Sequence, residues 1–269
     1  MMILEEALKT STINTRYFKG VIYMLRPIMR GMDVSEFQGA IHFKNAKKAG
    51  MDFAIARAGY GSAKLYPSQY DAKFDDYYKN AKNAGMPIGA YWYTYAKDVD
   101  AAKVEADSFL AALKGKTFEM PVFIDVEDDT LPTNKAALTE IVRTFCQRVE
   151  DAGYYIGIYA SLYWLENRLD MSKLKDFDVW VAQWNSTCDY KGNYGMWQHT
   201  SSGSVNGVPC TRVDLDYAYI DYPSVIKGAG LNGFKKSSGE TGSKVDVAEI
   251  LKKIAHAKAD LAEAEAMLK

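Results

Sequence analysis

Histidine and cysteine are scarce in this sequence, with three of each among 269 residues. His42, His199 and His256 are far apart and the cysteines form no CxxC pair, so neither residue type has the spacing of a zinc site. A phosphate-binding glycine loop that ends in Lys-Ser/Thr and a G-x-S-x-G nucleophile turn are also missing. We therefore expect no metal and no cofactor, and the patterns exclude the common nucleotide-binding and serine-hydrolase classes.

The chain also lacks a charge excess and a long apolar run. It carries 33 Lys and Arg against 34 Asp and Glu, so no basic excess favours nucleic acid as a partner. No stretch approaches the ~20 apolar residues that span a bilayer, which predicts no stable membrane insertion. The N-terminal run GVIYML is too short for the core of a signal peptide.

Helix-like segments that end in Ala-Gly alternate with runs of β-branched and aromatic residues. Gly50, Gly85 and Gly153 end three such segments at intervals of 35 and 68 residues, and the longer interval leaves room for a fourth unit. Repeated helix-strand units predict an α/β fold with a parallel sheet, either doubly wound or closed into a barrel. After residue 165 the strand-like runs have little helix between them, which predicts a β-rich second half.

Four segments are predicted along the chain. Residues 1–29 are an N-terminal extension outside the core, and residues 30–224 form the folded domain. The Gly-, Ser- and Lys-rich residues 225–244 are typical of a linker. Residues 245–269 place apolar side chains at heptad spacing, which predicts an amphipathic helix that either pairs with another chain or docks on the body.

The segment VFIDVEDD runs from a buried-looking strand into four acids. In a strand over 121–127, Asp125 and Glu127 share one face about 7 Å apart. Burial beside a like charge raises the pKa of one acid, and a protonated acid beside an ionised one is what glycosidic cleavage requires. The alternatives are a divalent-metal cluster and acids in the first turn of a helix, the position we expect for Asp128 and Asp129.

Further acids lie at the ends of other predicted strands. Asp33 follows a short strand in RGMDVSEFQG, and Asp214 and Asp216 share one face of a late strand in TRVDLDYAYI. A single acid at a strand end is more often a turn or capping residue than a catalyst. Several acids that converge on one barrel mouth would instead indicate an active site.

Several segments, in this order along the chain, resemble glycoside hydrolase family 25, the lysozymes of Chalaropsis type. They cover roughly residues 30–222 and are GMDVSEFQG, FAIARAGYG, PIGAYWYTYA, AAKVEADSF, FIDVED, GIYASLYW, WVAQWN and WQHTSSGSVNGV, followed by VDLD. The resemblance implies a modified TIM-like α/β barrel of about eight strands with fewer helices in its second half. This agrees with the change of pattern after residue 165.

The resemblance also implies a reaction. It is that of an N-acetylmuramidase, which hydrolyses the β-1,4 bond from N-acetylmuramic acid to N-acetylglucosamine in peptidoglycan with retention of configuration. The family's motif places the general acid/base on Glu127, its partner on Asp125, and two further acids of the cleft on Asp33 and Asp214. Asp125 either attacks the anomeric carbon or stabilises the substrate's own N-acetyl group as the nucleophile.

Aromatic and amide side chains near the strand ends are the expected sugar-binding residues, since sugar rings present apolar faces. For each ring, packing in the core is the alternative. The candidates are Tyr60, Tyr91, Tyr93, Tyr159, Trp184 and Gln198.

The expected partner is the glycan strand of peptidoglycan, with self-association through the helix at 245–269 or a further module beyond it. Without a signal peptide, we expect an endolysin-like protein that accumulates in the cytoplasm and then acts on the cell wall; a secreted autolysin with a mis-set start is the alternative. Two other functions stay open. They are a chitinase-like retaining carbohydrase and a non-catalytic cell-wall-binding module.

Overall fold

Eight strands close into a barrel in the computed structural model, which describes residues 17–18, 21–22 and 26–235. Seven strands are parallel and follow the sequence order around the barrel. The eighth closes it by pairing antiparallel with the first and the seventh. The strands are β1 (Met29–Val34), β2 (Phe53–Tyr60), β3 (Ile88–Tyr93), β4 (Val122–Asp125), β5 (Ile156–Ser161), β6 (Asp178–Ala182), β7 (Met196–Gly203) and β8 (Val213–Ala218). The predicted α/β barrel is confirmed, and a separate two-residue ladder pairs Tyr17–Phe18 with Val21–Ile22.

Helices cover the first half of the barrel. Each of the first four strands is followed by one, and these helices are α1 (Phe43–Lys48), α2 (Phe74–Asn83), α3 (Val99–Leu113) and α4 (Lys135–Asp151). Between β5 and β8 the only helical elements of the described chain are the π-helix Trp164–Arg168 and the 3-10 turn Met171–Lys173. Helix α5 (Tyr222–Ala229) follows β8. The predicted loss of helices in the second half is confirmed. None of the described helices has the length and apolar character of a membrane span.

Glycines end these helices as the repeat predicts. Gly50, Gly85 and Gly153 have φ angles of 93°, 63° and 87°, and Gly115 after α3 has a φ of 78°. This left-handed conformation carries little penalty only in glycine, which has no Cβ atom. Each glycine therefore stops a helix and turns the chain into the next parallel strand.

Large rings fill the barrel interior where strand glycines leave room. Phe53 and Phe123 are fully buried over Gly31 and Gly157. A Cβ atom on Gly31 would lie 2.2 Å from the Phe53 ring, and one on Gly157 would lie 2.6 Å from the Phe123 ring. The Trp180 ring completes this layer at 5.0 Å from Phe123. Burial of each phenylalanine contributes about 1.5–3 kcal/mol, so the interior is a packed core and reachable side chains are confined to its ends.

Helix α5 closes the end of the barrel at which the parallel strands begin. Because β8 is antiparallel to its neighbours, the chain leaves β8 at that end and α5 forms directly beneath the core. Tyr222 and Ile226 are fully buried against the interior rings. The Tyr222 hydroxyl donates a hydrogen bond to Asp178 Oδ2 at 2.6 Å, which ties the helix to the start of β6.

The first part of the predicted linker is instead folded. Residues 225–229 belong to α5, and Asn232 is fully buried. The Asn232 side chain accepts a hydrogen bond from the Tyr155 N–H at 2.7 Å and donates one to the Met120 carbonyl at 2.9 Å. Composition alone did not reveal that one asparagine joins two strand starts. The remainder of the linker and the helix predicted at 245–269 lie outside the described residues, so the other predicted boundaries stay predictions.

Candidate active site

Four of the predicted acids meet in one pocket at the carboxyl ends of the parallel strands. Asp33 lies near the end of β1, Asp125 is the last residue of β4 and Glu127 follows it. Asp214 lies at the start of β8, and the antiparallel direction of this strand brings Asp214 opposite Asp33. With six other side chains, these acids line a cavity of about 320 Å³. The structure thus brings the four acids together, and their catalytic roles stay predictions.

Asp125 is a buried carboxyl with unfilled hydrogen-bonding capacity. It is 4% exposed, and its Oδ1 atom has no hydrogen-bond partner in the described protein. Burial, and then the charge of Glu127, raise its pKa well above the ordinary value, whereas the charge of Arg57 lowers it. An unpaired buried polar atom costs about 1–3 kcal/mol, which is a reason to expect that a ligand completes this position.

Glu127 lies beyond the strand and still faces the same pocket. The observed strand β4 ends at Asp125 and is shorter than the strand predicted over 121–127. The Glu127 side chain is open to solvent at the pocket, and partial burial, then the charges of Asp214 and Asp128, raise its pKa. A carboxyl with a raised pKa that water and a ligand can both reach is suited to give and take protons.

Arg57 makes the two carboxyls unequal. Ion pairs of 2.8 Å to Asp71 and 2.9 Å to Glu36 hold its guanidinium in place on β2. Its charge lowers the pKa of Asp125, whereas the charges that act on Glu127 are those of other acids and raise its pKa. Arg57 therefore favours the ionised form of Asp125 and opposes, without cancelling, the burial that raises the pKa of that carboxyl.

Gln198 joins Asp33 to two aromatic side chains of the pocket wall. Its Nε2 atom donates to Asp33 Oδ2 at 2.8 Å, and its Oε1 atom accepts from the Tyr159 hydroxyl at 3.1 Å and from Trp184 Nε1 at 3.0 Å. Three hydrogen bonds fix the orientation of the amide. The bond to Asp33 opposes the rise in the pKa of Asp33 that burial and the neighbouring acids cause.

The predicted sugar-binding side chains divide into two groups. Four line the cavity: Tyr91, Tyr159, Trp184 and Gln198. Tyr60 and Tyr93 do not line it and lie instead on either side of Tyr95, with ring centroids 6.2 Å and 5.0 Å from the Tyr95 ring. A register shift in β2 between Arg57 and Gly59 precedes Tyr60 and changes its alignment with β3. This second group forms a partly exposed aromatic wall outside the acid pocket.

The loop after β4 differs from the prediction. Asp128 and Asp129 do not lie in the first turn of a helix, because α4 begins only after its N-cap residue Asn134. Asp128 instead organises a turn, in which Oδ1 accepts from the Thr130 N–H at 2.9 Å and Oδ2 accepts from the Tyr93 hydroxyl at 3.1 Å. Asparagine is preferred at the N-cap position of helices, and here Asn134 occupies that position instead of Asp128 or Asp129. The helix therefore starts later than the sequence predicts.

Sequence reasoning did not assign four side chains to this site. Trp180 and Ser201 line the cavity, Arg57 acts on Asp125, and Asp216 is buried behind the pocket. Period-two alternation places Asp216 on the face of Asp214, and a charged residue within the apolar run FAIARAGYG was a signal for Arg57. Ser201 had no such signal. Among the described residues, no three His, Cys, Asp or Glu side chains are grouped as ligands of a metal ion.

A closed barrel whose parallel strands bring acids and aromatic rings to their carboxyl ends defines an α/β-barrel protein with an enzyme-type cleft. The sequence model of the family described as "Glycosyl hydrolases family 25" matches residues 32–208. Because the match covers more than half of the 269 residues, the chain belongs to glycoside hydrolase family 25. The resemblance seen in the sequence is confirmed.

Two lysozymes and a lytic enzyme are similar to this chain. It is 30% identical to the autolytic lysozyme of Clostridium acetobutylicum over 189 residues, and this aligned region covers 70% of this chain and 55% of the relative. It is 27% identical to lysozyme M1 of Streptomyces globisporus over 198 residues, and this aligned region covers 67% of this chain and 64% of the relative. The solved structure of the spore cortex lytic enzyme SleM from Clostridium perfringens has a TM-score of 0.61 and 26% identity, over 71% of this chain and 67% of that one. The chain thus spans less than two thirds of the length of either lysozyme.

Proposed function

We propose that this chain is a peptidoglycan hydrolase, an N-acetylmuramidase that cleaves the β-1,4 bond from N-acetylmuramic acid to N-acetylglucosamine with retention. The observation that carries the proposal is the carboxyl pair at the end of β4. Asp125 is buried with an unpaired oxygen, and Glu127 has a raised pKa and is open to the same pocket. Membership of the family and the names of two similar lysozymes support the substrate class.

Glu127 is the proposed general acid and base. As the bond between C1 and the glycosidic oxygen breaks, the proton of Glu127 moves to that oxygen, and the departing sugar leaves with a new hydroxyl group. A water molecule then adds its oxygen to C1 while the bond between C1 and the nucleophile of the first step breaks, and the water gives a proton back to Glu127. One water is thereby divided between the two products, and the acid is restored.

Asp125 is the proposed partner on the other side of the sugar ring. Its unpaired oxygen either bonds to C1 or stabilises the substrate's 2-acetamido group while the acetamido oxygen attacks C1, and both routes give retention. The positive charge that develops on the ring stabilises the ionised form of Asp125. In a pocket of low dielectric constant this attraction is stronger than in water, and the charge of Arg57 adds to it by lowering the pKa of Asp125.

The remaining side chains are proposed to bind and orient the glycan. Asp33 and Asp214 line the cavity as acceptors for sugar hydroxyl and amide hydrogens. The aromatic rings offer flat apolar surfaces to the sugar faces, with an inner set in the pocket and an outer set beside it. The inner set is Tyr91, Tyr159 and Trp184, and the outer set is Tyr60 and Tyr93.

The proposed partner is the glycan strand of peptidoglycan, and the proposed place of action is the cell wall, as for an endolysin. The acid pocket and its aromatic walls support this choice, because a polysaccharide needs both hydrogen-bond acceptors and stacking surfaces. Self-association through residues 245–269 stays a prediction, since the structure does not describe those residues.

Product analysis tests this function. Purified peptidoglycan is digested, the new reducing ends are reduced with borohydride, and the soluble fragments are identified by mass spectrometry. We expect fragments that end in reduced N-acetylmuramic acid. Fragments that end in N-acetylglucosamine, or digestion of chitin without digestion of peptidoglycan, would favour a chitinase-like carbohydrase. Binding to cell walls with no new reducing ends would favour the non-catalytic module.

A further inference from the structure

An exposed phenylalanine extends the aromatic wall beside the acid pocket. Phe37 is 76% exposed and lies in the 3-10 turn Glu36–Gln38, which follows β1 at the end of the barrel that holds the acids. The Arg57 guanidinium lies 5.0 Å from the centroid of the Phe37 ring and 5.6 Å from that of the Tyr60 ring. The Tyr60 ring in turn contacts the exposed ring of Tyr95. The three rings therefore form one row, from the turn after β1 to the loop after β3.

The turn that carries Phe37 is held in place by hydrogen bonds on both sides of the ring. The Ser35 N–H donates to the Gln38 side chain at 2.7 Å, and the Glu36 N–H donates to Asp71 Oδ2 at 3.0 Å. The Glu36 carboxylate is also held, by the ion pair of 2.9 Å described above. A ring on a fixed turn loses little conformational freedom when a ligand binds, which favours affinity.

The row of rings adjoins the carboxyl pair of the pocket. Tyr60 pairs with Tyr93 in the ladder between β2 and β3, and Tyr93 pairs with Asp125 in the ladder between β3 and β4. The centroids of the Tyr93 and Tyr95 rings are 5.0 Å apart. A ligand that leaves the pocket over Tyr93 therefore meets Tyr95 and Tyr60 next.

The pocket can hold only a small part of a polysaccharide. Its volume of about 320 Å³ is at the lower end of the range of ligand pockets, about 300–1,000 Å³. Exposed Trp184 follows β6, which lies four strands from β2 in the closed barrel of eight, so Trp184 and Tyr60 are on opposite sides of the mouth. A glycan strand that crosses the pocket thus meets aromatic rings on both sides.

The row has the features of a sugar-binding surface. Exposed apolar residues that are scattered singly need no explanation, whereas contiguous apolar patches mark binding sites. We propose that Phe37, Tyr60 and Tyr95 form a distal subsite, which binds a sugar of the glycan strand outside the pocket. The electron-rich faces of the rings attract the C–H groups on the flat side of a sugar.

The distal subsite rests on the proposed glycosidase function and adds a preference for long glycans to it. Because the row lies beside the pocket and not within it, a short glycan that fills the pocket does not reach Phe37. A longer strand occupies both places. Phe37 is therefore a specificity-determining residue, with no part in breaking the bond.

Glycan binding by Glu127→Gln tests the subsite without turnover. NMR titration measures the affinity of this variant for two glycans without stem peptides, the disaccharide unit of peptidoglycan and a chain of three such units. We expect added Phe37→Ala to lower the affinity for the longer chain about threefold to tenfold and to keep that for the disaccharide within about twofold. Ile28→Ala is the control and should change neither affinity, because Ile28 is 55% exposed at the opposite end of the barrel.

Two other substitutions distinguish stacking on a flat ring from general apolar contact. Phe37→Trp keeps a flat aromatic face and should keep the affinity for the longer chain. Phe37→Leu keeps an apolar side chain without that face, and we expect it to lose about as much affinity as Phe37→Ala. Full affinity in Phe37→Leu would contradict the stacking of a sugar on this ring.

The remaining outcomes separate the subsite from the proposed function. If Phe37→Ala binds the longer chain as tightly as its parent does, or loses equal affinity for both glycans, the distal subsite is wrong and the proposed function stands. A loss seen only with glycans that carry stem peptides would show that the row binds peptide, and would also overturn the subsite. If Glu127→Gln binds neither glycan, the proposed function is wrong and this inference falls with it.

Discussion

Replacement of Gln198 by leucine should disconnect Asp33 from the aromatic side chains beside it. The two side chains are similar in size, but leucine cannot replace the three hydrogen bonds of 2.8 Å, 3.1 Å and 3.0 Å that the amide makes. The variant therefore leaves Asp33, Tyr159 and Trp184 each without one partner. The effect on stability depends on which of these three can bond to water instead.

Two of the three partners are buried. Asp33 and Tyr159 are 6% and 8% exposed, whereas Trp184 is 65% exposed and can bond to solvent. A buried polar group without a partner costs about 1–3 kcal/mol, so we expect Gln198→Leu to lose about 2–5 kcal/mol in free energy of unfolding. Tyr159→Phe removes one of these bonds and should lose about 1–2 kcal/mol. Trp184→Phe should stay within about 0.5 kcal/mol of the wild type.

Urea unfolding at neutral pH measures this series, with Trp184→Phe as the matched control for loss of one hydrogen bond to the same amide. The expected order of destabilisation is Trp184→Phe, then Tyr159→Phe, then Gln198→Leu. The acid limb of the rate profile of Gln198→Leu should also move to higher pH, because the lost N–H donor lowered the pKa of Asp33. A Gln198→Leu variant as stable as the wild type, or a Trp184→Phe variant as unstable as Tyr159→Phe, would refute this reasoning.

Two further substitutions test parts of the fold away from the pocket. Glu105 is buried, accepts a hydrogen bond from the Thr94 hydroxyl at 2.7 Å, and has a pKa raised by burial to about 7. Between about pH 4.5 and pH 7 the folded state keeps a proton that the unfolded chain has lost, so this stabilisation is present at low pH and is lost as the pH rises through 7. Urea unfolding at several pH values measures this effect. The free energy of unfolding of the wild type minus that of Glu105→Gln should therefore fall by up to about 3 kcal/mol between pH 5 and pH 8. A difference that is the same at both pH values would contradict this. Asn232→Ala leaves the Tyr155 N–H and the Met120 carbonyl without their partner. We therefore expect the free energy of unfolding to fall by roughly 2–4 kcal/mol in the same assay. A fall below about 0.5 kcal/mol would show that the closed barrel floor does not depend on this residue.

The barrel could be predicted because its repeating unit is local. Glycines such as Gly50 and Gly85 end helices within the sequence itself, and each unit returns the chain to a parallel neighbour. The convergence of Asp33 and Asp125 follows from the same regularity, since parallel strands of a barrel end on one face. These inferences need only period and direction, which a single sequence contains.

The features that sequence reasoning missed depend on contacts between distant residues. Asn232 joins strand starts about 80 and 110 residues earlier, and nothing within the Gly-rich segment marks that contact. The shift of register before Tyr60 arises from pairing with β3 and not from the residues of β2 alone. Asp216 could be assigned to the correct face of its strand, but its place opposite Gly31, behind the pocket, depends on closure of the barrel by an antiparallel strand.

The rate of reducing-end release by Glu127→Gln, compared with the wild type and with Asp129→Asn, tests the central claim most directly. Glutamine keeps the shape of the side chain and removes the transferable proton, whereas Asp129 is an exposed acid two residues away that does not line the cavity. We expect Glu127→Gln to lose on the order of 10²-fold or more in kcat and Asp129→Asn to stay within about twofold of the wild type, with unchanged thermal melting in both. Wild-type turnover by Glu127→Gln would show that another group supplies the proton and that the carboxyl pair at the end of β4 does not carry the reaction.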